Sequence, residues 1–396
     1  MNRDSRHVLV VGAGPVGLLL GNLLGSFGIR TLVIDKRAAG PDASMAIGLS
    51  PPSLLLLRSL QLDRAFVAAG VRVEHAVVHG DRGRVGELFF HGIPGPYPFI
   101  LSLPQAKTVR LLEARLADWP TVQLRRSTEL IAFQQESTGV TAILRCLTTG
   151  REEALHCAFL AGCDGGDSLV RSLAEIATAG GDFPQTFVMA DFADDSGLAA
   201  QAHLFFTRHG SVESFPLPGN QRRWIVQTDQ LLRPVPAELM TETVRQRTGI
   251  KLGRSRCDFT SAFAVRHRLV QRYFRGRVAL CGDAAHLMSP VGGQGMNVGF
   301  GDAARLAGHL ASCLLCGADP EPLLADYSRQ RRKVAQIAIG RASRGMWMGT
   351  RQGRLAGLWR EPLLRLLLSP PLCRKLPPYF AMLTLPDSLP HPESLA

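Results

Sequence analysis

The sequence predicts an α/β protein with three parts: a parallel-sheet ligand-binding domain, an antiparallel β-sheet domain set into it, and a helical C-terminal region. Three observations predict this. Near the start, an apolar run ends in Gly12-Ala-Gly14-Pro-Val-Gly17 and leads into a helix-like segment. Much later a second apolar run, Val278-Ala-Leu-Cys, enters a glycine-rich loop that opens another helix. Between them, residues 183–229 alternate apolar and polar in short runs separated by turns, the pattern of antiparallel strands.

The chain has 396 residues, enough for two domains or one large discontinuous one. Its eight cysteines are scattered, and Cys313 and Cys316 form the sole C-x-x-C. With no second pair to complete a metal site, buried structural thiols and no metal are expected. Nothing suggests a disulfide framework, so a reducing cytoplasm is the expected location. The net charge of +12 is concentrated: residues 329–375 hold twelve Lys and Arg against one acid, Glu361. The rest is close to neutral, which argues against a nucleic-acid-binding surface spread over the protein. The Arg-studded tail is a candidate for peripheral contact with the inner face of a membrane, a solvated face being the alternative.

The first elements follow from glycine placement. Residues 8–29 carry no charge and are long enough for a membrane span or a signal peptide. Gly12, Gly14, Pro15 and Gly17 break such a helix and demand a strand, a turn and then a helix. A strand over 7–11, a helix to about 27 and a strand over 31–34 ending at Asp35 put Gly-x-Gly-x-x-Gly in the setting of a Rossmann-like dinucleotide site. Gly12 permits the tight turn, and Gly14, between Ala13 and Pro15, lets a pyrophosphate approach the backbone. Gly17 packs helix on strand. Asp35, followed by Lys36 and Arg37, is placed to accept hydrogen bonds from a ribose. This motif alone does not separate NAD from FAD.

Further on, residues 43–62 read as a turn and a Leu-rich helix over 51–60, and 71–95 as short strands and turns. Residues 103–116 form an amphipathic helix with Leu111, Leu112 and Leu116 inward and Gln105 at its start, as a capping residue or a cofactor contact. Residues 122–147 alternate as two or three strands. A strand over 158–162 leads into Asp164-Gly-Gly-Asp-Ser-Leu-Val-Arg171. Strands are expected over 187–192, 202–207, 212–217, 223–228 and 259–268. Phe205, Phe206, Phe215 and Trp224 are their candidates for a ligand pocket, although core packing explains any one of them equally well. His203 and His209 flank one strand; either is able to move a proton, but both read as surface histidines, and no catalytic base is identifiable. Residues 326–340 and 360–368 look helical, with prolines breaking up the tail.

The organising stretch is Val278-Ala-Leu-Cys-Gly-Asp283-Ala-Ala-His286, continued by Leu-Met-Ser-Pro290-Val-Gly-Gly293-Gln-Gly295-Met296-Asn297. Bare amides of Gly292, Gly293 and Gly295 at a helix N-terminus hold an anion or an electron-rich ring edge. A carboxylate a few residues earlier accepts hydroxyls. A flavin with its ribityl chain has both features. The string GDAAHxxxPxxGQGMN resembles the second FAD motif of the single-component (class A) flavoprotein aromatic hydroxylases, the p-hydroxybenzoate hydroxylase-like monooxygenases. With the first glycine motif and DGxxSxVR, the resemblance covers residues 8 to about 332.

The resemblance implies a Rossmann-like FAD-binding domain in three parts (1–75, 103–180 and 276–330), an antiparallel β-sheet substrate domain in two (76–102 and 181–275) and a C-terminal helical region (331–396). It implies FAD contacts from the first glycine loop, Asp35 to Arg37, Gln105, Asp164, Arg171, Asp283, Pro290, Gly293, Gly295, Met296 and Asn297. Arginines common in the family are replaced by Met45 and Pro52, and a second loop proline by Ser289. The implied activity uses NADH or NADPH and O2: FAD is reduced, oxygen adds at flavin C4a, and the distal oxygen of the hydroperoxide attacks an electron-rich ring of a phenolic, quinoline or polyketide-like small molecule. An epoxidase, a prenyl-chain reductase or halogenase on the same fold, or a non-catalytic FAD-binding escort, are the alternatives. The tryptophan-rich halogenase signature is absent.

Overall fold

The structure, a computed structural model, describes residues 8–40, 46–252, 257–290 and 292–386. Met45 lies outside them. In chain order the elements are β1 (Val8–Val11), α1 (Pro15–Ser26), β2 (Thr31–Ile34), β3 (Gly48–Leu49), α2 (Pro51–Ser59) and α3 (Asp63–Ala69). Next come β4 (Val71–Val73), β5 (His75–Gly80), β6 (Gly83–Phe89), β7 (Ile100–Ser102) and α4 (Gln105–Leu116). Then follow β8 (Val122–Arg125), β9 (Thr128–Gln135), β10 (Val140–Cys146), β11 (Glu152–Cys157), β12 (Phe159–Gly162) and α5 (Leu169–Leu173). The next group is β13 (Thr178–Ala193), β14 (Ala202–Thr207), β15 (Gly210–Leu217), β16 (Gln221–Thr228), α6 (Ala237–Thr248) and β17 (Cys257–Val270). Last are β18 (Phe274–Arg275), β19 (Val278–Leu280), β20 (His286–Leu287), α7 (Gly295–Cys316), α8 (Pro320–Gly349), α9 (Arg354–Leu367) and α10 (Leu376–Phe380).

A six-stranded sheet in the order β18-β19-β12-β1-β2-β8 forms the first layer. Its central strands run parallel and are buried on both faces, which explains their unbroken apolar sequences. Leu280, Gly162, Val11 and Ile34 lie in register across four adjacent strands. The motif residues that follow them therefore emerge together along one carboxyl edge, where ligands bind in such sheets. Helix α1 is apolar all round because it is buried all round. A side chain at Gly21 would come within 3.0 Å of Leu116 and Val33, and one at Gly25 within 2.6 Å of Trp119. The small-residue row thus seats α1 on sheet and helix. Among the described residues no helix is long and apolar enough to cross a membrane.

The second layer is an eight-stranded sheet in the order β20-β17-β13-β16-β15-β14-β5-β6. Its long strands are antiparallel, as the alternation predicts, but β14 meets β5 in parallel. On one face Val188, Ala190, Phe192, Phe205, Val212, Trp224 and Val226 pack beneath Met240 and Val244 of α6. The other face meets the remaining modules: Phe187, Ile225 and Phe263 pack with Met346 of α8, and Phe215 with Ile100 of β7. The Ser102 hydroxyl of β7 donates to the Pro216 carbonyl at 2.6 Å. Two of the expected buried thiols are corrected: Cys313 is half-buried and Cys316 exposed, because they fall on the last turn of α7.

Candidate active site

The first glycine loop divides its labour. At Gly12, φ is +107° and an added Cβ would lie 2.4 Å from the Cys163 carbonyl oxygen, so only glycine fits. At Gly17 a Cβ would lie 1.9 Å from the Gly12 oxygen. At Gly14 it would meet nothing within 4 Å, which leaves open space in front of the N-terminus of α1. The Ala13 amide donates to Asp35 at 2.9 Å. Asp35 also accepts from the Arg37 amide at 2.8 Å and from its guanidinium at 3.0 and 2.8 Å. Burial opposes ionisation of Asp35, but the bonds from Arg37 and Ala13 outweigh it and hold the carboxyl below its usual range. A ribose hydroxyl arriving there shares the carboxylate with Arg37 or displaces that exposed side chain. Lys36 points to solvent.

The next strand end carries Asp164. One carboxylate oxygen accepts from the Val170 amide at 3.0 Å, while Oδ1 is buried without a partner. Such an atom calls for a donor supplied by a ligand. Ser168 caps α5 by accepting from the Arg171 amide. The Arg171 guanidinium donates to the Ala284 carbonyl at 3.0 Å and to Gly166 at 2.8 Å. These bonds tie the Asp164 segment to the Asp283 turn, so Arg171 positions the site.

Asp283 stands on a single 3-10 turn, Gly282–Ala284, directly after β19 and Cys281. Its carboxylate makes no hydrogen bond to any described residue, and it caps nothing. Its surface is exposed, yet desolvation by surrounding protein raises its pKa, partly offset by His286. Both facts hold for a group at the bottom of a cleft, open to a ligand but poor in bulk water. The turn is held by residues the sequence reading missed. Asp302 of α7, fully buried, accepts from the Gly282 amide at 3.0 Å, His286 Nε2 at 2.8 Å and Arg331 Nε of α8 at 2.7 Å.

In the following loop Pro290, Gly292 and Gly293 are exposed, and α7 begins at Gly295 with Met296 half-buried. The amides of Gly295 and Met296 lie in the first turn of α7 and lack helical partners, whereas the Gly293 amide donates to the Pro290 carbonyl at 2.8 Å. Asn297 does something else with its side chain. Oδ1 accepts from the Ser50 amide at 2.9 Å and the Ser53 hydroxyl at 2.7 Å, and Nδ2 donates to Gly48 at 3.0 Å and Gly293 at 2.8 Å. Asn297 therefore staples β3 and α2 to the glycine loop. Gln105 links the same segment to α4 through the Ala46 amide at 3.4 Å, and Pro52 lies in the first turn of α2.

The eight-stranded sheet, called the roof sheet below, is joined to this edge by β20, which follows the Asp283 turn, and by the Ser102–Pro216 bond from β7 to β15. Two of the aromatic pocket candidates are corrected, since Phe205 and Trp224 point to the face closed by α6. Phe215 and Phe206 point the other way, Phe206 lying against Gly349. His203 is also corrected: it is buried, its Nδ1 lies 3.0 Å from Nε2 of His79, and burial, then His79, lowers its pKa to about 4. His209 is exposed as expected.

An open glycine face, an orphaned carboxylate oxygen and a carboxyl with no partner among the described residues, all on one sheet edge, define a dinucleotide-binding protein. Comparison with known proteins narrows the class. The FAD binding domain family matches residues 5–342, and the chain belongs to that family. It is 33% identical over 345 residues to the 12-dehydrotetracycline 5-monooxygenase/anhydrotetracycline 6-monooxygenase of Streptomyces rimosus subsp. rimosus, covering 83% of this chain and 67% of that one. It is 36% identical over 343 residues to the 6-methylpretetramide 4-monooxygenase of Streptomyces rimosus, covering 84% of this chain and 60% of that one. The match thus spans three fifths to two thirds of these relatives' length. The solved anhydrotetracycline hydroxylase of Streptomyces rimosus superposes with a TM-score of 0.78 at 30% identity, over 98% of this chain and 78% of that one. These relatives are named as monooxygenases and a hydroxylase, which favours the monooxygenase expectation over a reductase or an escort protein. The three-part site fits FAD: among the described residues Asp164 Oδ1 lacks a donor and Asp283 lacks any partner, and Gly14 leaves space.

Proposed function

We propose that the chain is an NAD(P)H-dependent FAD monooxygenase that uses O2 to hydroxylate an electron-rich aromatic small molecule of phenolic or polyketide type. The observation that carries the proposal is the pair of carboxylates without a full set of partners, Asp164 and Asp283, at the ends of the adjacent strands β12 and β19. Bound FAD supplies the oxygen chemistry. The chain orients it: Asp35 and the Gly14 face take the adenosine end, Asp164 and Asp283 accept hydroxyls, and the amides at the start of α7 face the ring. The roof sheet holds the substrate and excludes water. The substrate class is supported by the relatives named for tetracycline and rifampicin oxygenation. The test is to purify the protein, record its visible spectrum, and measure NADH and NADPH oxidation with phenols, naphthols, quinolines and anhydrotetracycline under 18O2. A yellow protein that places one labelled oxygen in an aromatic product supports the reading. A protein that stays colourless after FAD soaking contradicts it.

A second reading concerns α9. Its Leu355, Leu358 and Leu366 are 79%, 64% and 58% exposed, while Ala356, Arg360 and Leu364 face inward. Trp347 and Trp359 lie alongside, tilted to each other with centroids 5.3 Å apart. An outward apolar row within the basic segment suits an anionic lipid surface, where each cation contributes about 1 kcal/mol. Pelleting with phosphatidylserine vesicles at low salt, and not with phosphatidylcholine vesicles, is the expected result. Equal pelleting with both contradicts it.

A further inference from the structure

One ionisable group on the face of the roof sheet turned away from α6 is unused by the site described above. Glu213 lies in the middle of β15. Its cross-strand neighbours are Leu204 on β14 and Ile225 on β16, and Ser211 and Phe215 flank it on the same face of its own strand. That face is the one turned away from α6. Its Ile225 packs towards Met346 of α8, and its Phe215 towards Ile100 of β7. Strand β15 is also joined to the cofactor side by a chain of bonds. Pro216 accepts from Ser102, Ser102 pairs with Gly48, and Gly48 accepts from Asn297 at the glycine loop. The Glu213 side chain is half-buried, so solvent reaches it, yet its carboxylate makes no hydrogen bond or ion pair with any described residue. A carboxyl carried into an apolar setting without a partner is costly. It is explained where a ligand supplies the partner.

We propose that Glu213 is a catalytic acid–base residue of the substrate chamber, whose carboxylate accepts the proton of a phenolic hydroxyl on the bound aromatic ring. The proposal rests on the aromatic-hydroxylase reading. The phenol O–H bond breaks and an O–H bond forms on the carboxylate. The electron pair stays on the phenolic oxygen and enriches the ortho and para carbons, the positions that attack an electrophilic oxygen. After product release the carboxylic acid returns its proton to water in the cleft.

The surroundings favour this. Burial alone raises the Glu213 pKa to about 7, with no contribution from a charge. A phenol ionises near about 10, so this base is better matched to it than an ordinary carboxylate. The neighbouring charges are otherwise engaged. Arg223 on β16 bonds Asp191 through two contacts of 2.7 Å. Arg222 with Asp194, and the His79–His203 pair, lie on the α6 face. Arg247 of α6 donates to the Gln227 carbonyl, Arg360 of α9 to Phe206, and Arg341 of α8 to Thr384.

The test uses FAD-loaded wild type, Glu213→Gln and Glu213→Leu. Binding of phenols, naphthols and their O-methyl ethers is read from the bound flavin's visible spectrum, and hydroxylation is followed from pH 5.5 to 9. Wild type is expected to bind the free phenols about tenfold more tightly than the ethers, with kcat/KM rising through pH 7. Both variants are expected to keep FAD, lose that preference, lose the limb near pH 7 and fall about a hundredfold or more in kcat/KM. Unchanged preference and pH profile in Glu213→Leu overturn the proposal, as does loss of FAD from both variants. So does a wild type that binds no phenol. If wild type binds phenols and hydroxylates none, the hydroxylase reading fails, and the variants' phenol preference alone decides the role of Glu213.

Discussion

Asp302 on α7 and Arg331 on α8 are joined by a 2.7 Å hydrogen bond beside the turn that presents Asp283. Both are buried, and Asp302 also receives the Gly282 amide and His286. Burial opposes ionisation of Asp302, yet His286 and Arg331 outweigh it and hold its carboxyl below the usual carboxylate range. A depressed acid stabilises the fold at neutral pH and loses that contribution as pH falls through its folded pKa. Asp302→Ala leaves the Arg331 charge buried without its partner, at a cost of about 3–5 kcal/mol. Urea denaturation at pH 7 should show a lower midpoint at unchanged slope. An unchanged midpoint would show that the pair adds nothing to the fold.

Gly14 and Gly17 predict opposite outcomes for the same substitution. Gly17→Ala drives a Cβ to 1.9 Å from the Gly12 oxygen, so about 1–3 kcal/mol or more of stability should be lost. Gly14→Ala meets open space in an extended backbone that alanine adopts, so the fold should survive and FAD binding should weaken. Melting curves together with FAD content of the purified variants distinguish them.

Arg171→Ala removes two charge-assisted bonds to the carbonyls of Gly166 and Ala284. Each is worth about 1.5–3 kcal/mol, and part of that loss should appear as at least tenfold weaker FAD binding because the Asp164 and Asp283 segments are no longer held together. If Arg171 instead serves the pyridine nucleotide alone, FAD affinity stays level and only the KM for NAD(P)H rises.

The parallel-sheet edge was legible in the sequence because backbone geometry there dictates residue type. Gly12 at φ +107° and Gly17 against a carbonyl admit nothing else. The roof was legible as strands but not as faces. Alternation separates Phe205 and Trp224 from Phe215 and Glu213, but the packing of α6 decides which side is closed, and nothing in the 237–248 stretch announced that helix's target. His203 looked like a surface residue because its partner, His79, is on the neighbouring strand β5, far away in sequence. Asp302 and Arg331 were invisible for the same reason: each reads as the polar side of its own helix, and only the crossing of α7 and α8 buries them together.

Glu213 carries a stability signature that separates a functional carboxyl from a structural one. Its folded pKa, about 7, lies above the usual glutamate value, so the fold favours the protonated form. The sign follows from linkage: this group's contribution declines as pH rises from the unfolded glutamate value towards its folded one, and ionised Glu213 is a burden above that. Glu213→Gln should therefore melt at a higher temperature than wild type at pH 8, with little difference at pH 5. Lower stability of the variant at both pH values would mark Glu213 as a structural residue.

The central claim is that the carboxyl edge of the parallel sheet binds FAD, and Asp283 tests it most directly. Its carboxylate has no partner among the described residues, and desolvation by the surrounding protein raises its pKa, so Asp283→Ala should leave the apoprotein melting temperature unchanged or higher. Losing one or two charge-assisted bonds to ribityl hydroxyls, at about 1.5–3 kcal/mol each, should weaken FAD binding roughly ten- to a thousandfold or more. FAD titration of wild-type and Asp283→Ala apoprotein, with melting curves on both, is the measurement. A well-folded variant with the predicted loss of affinity supports the account. A well-folded variant that binds FAD as tightly as wild type contradicts it.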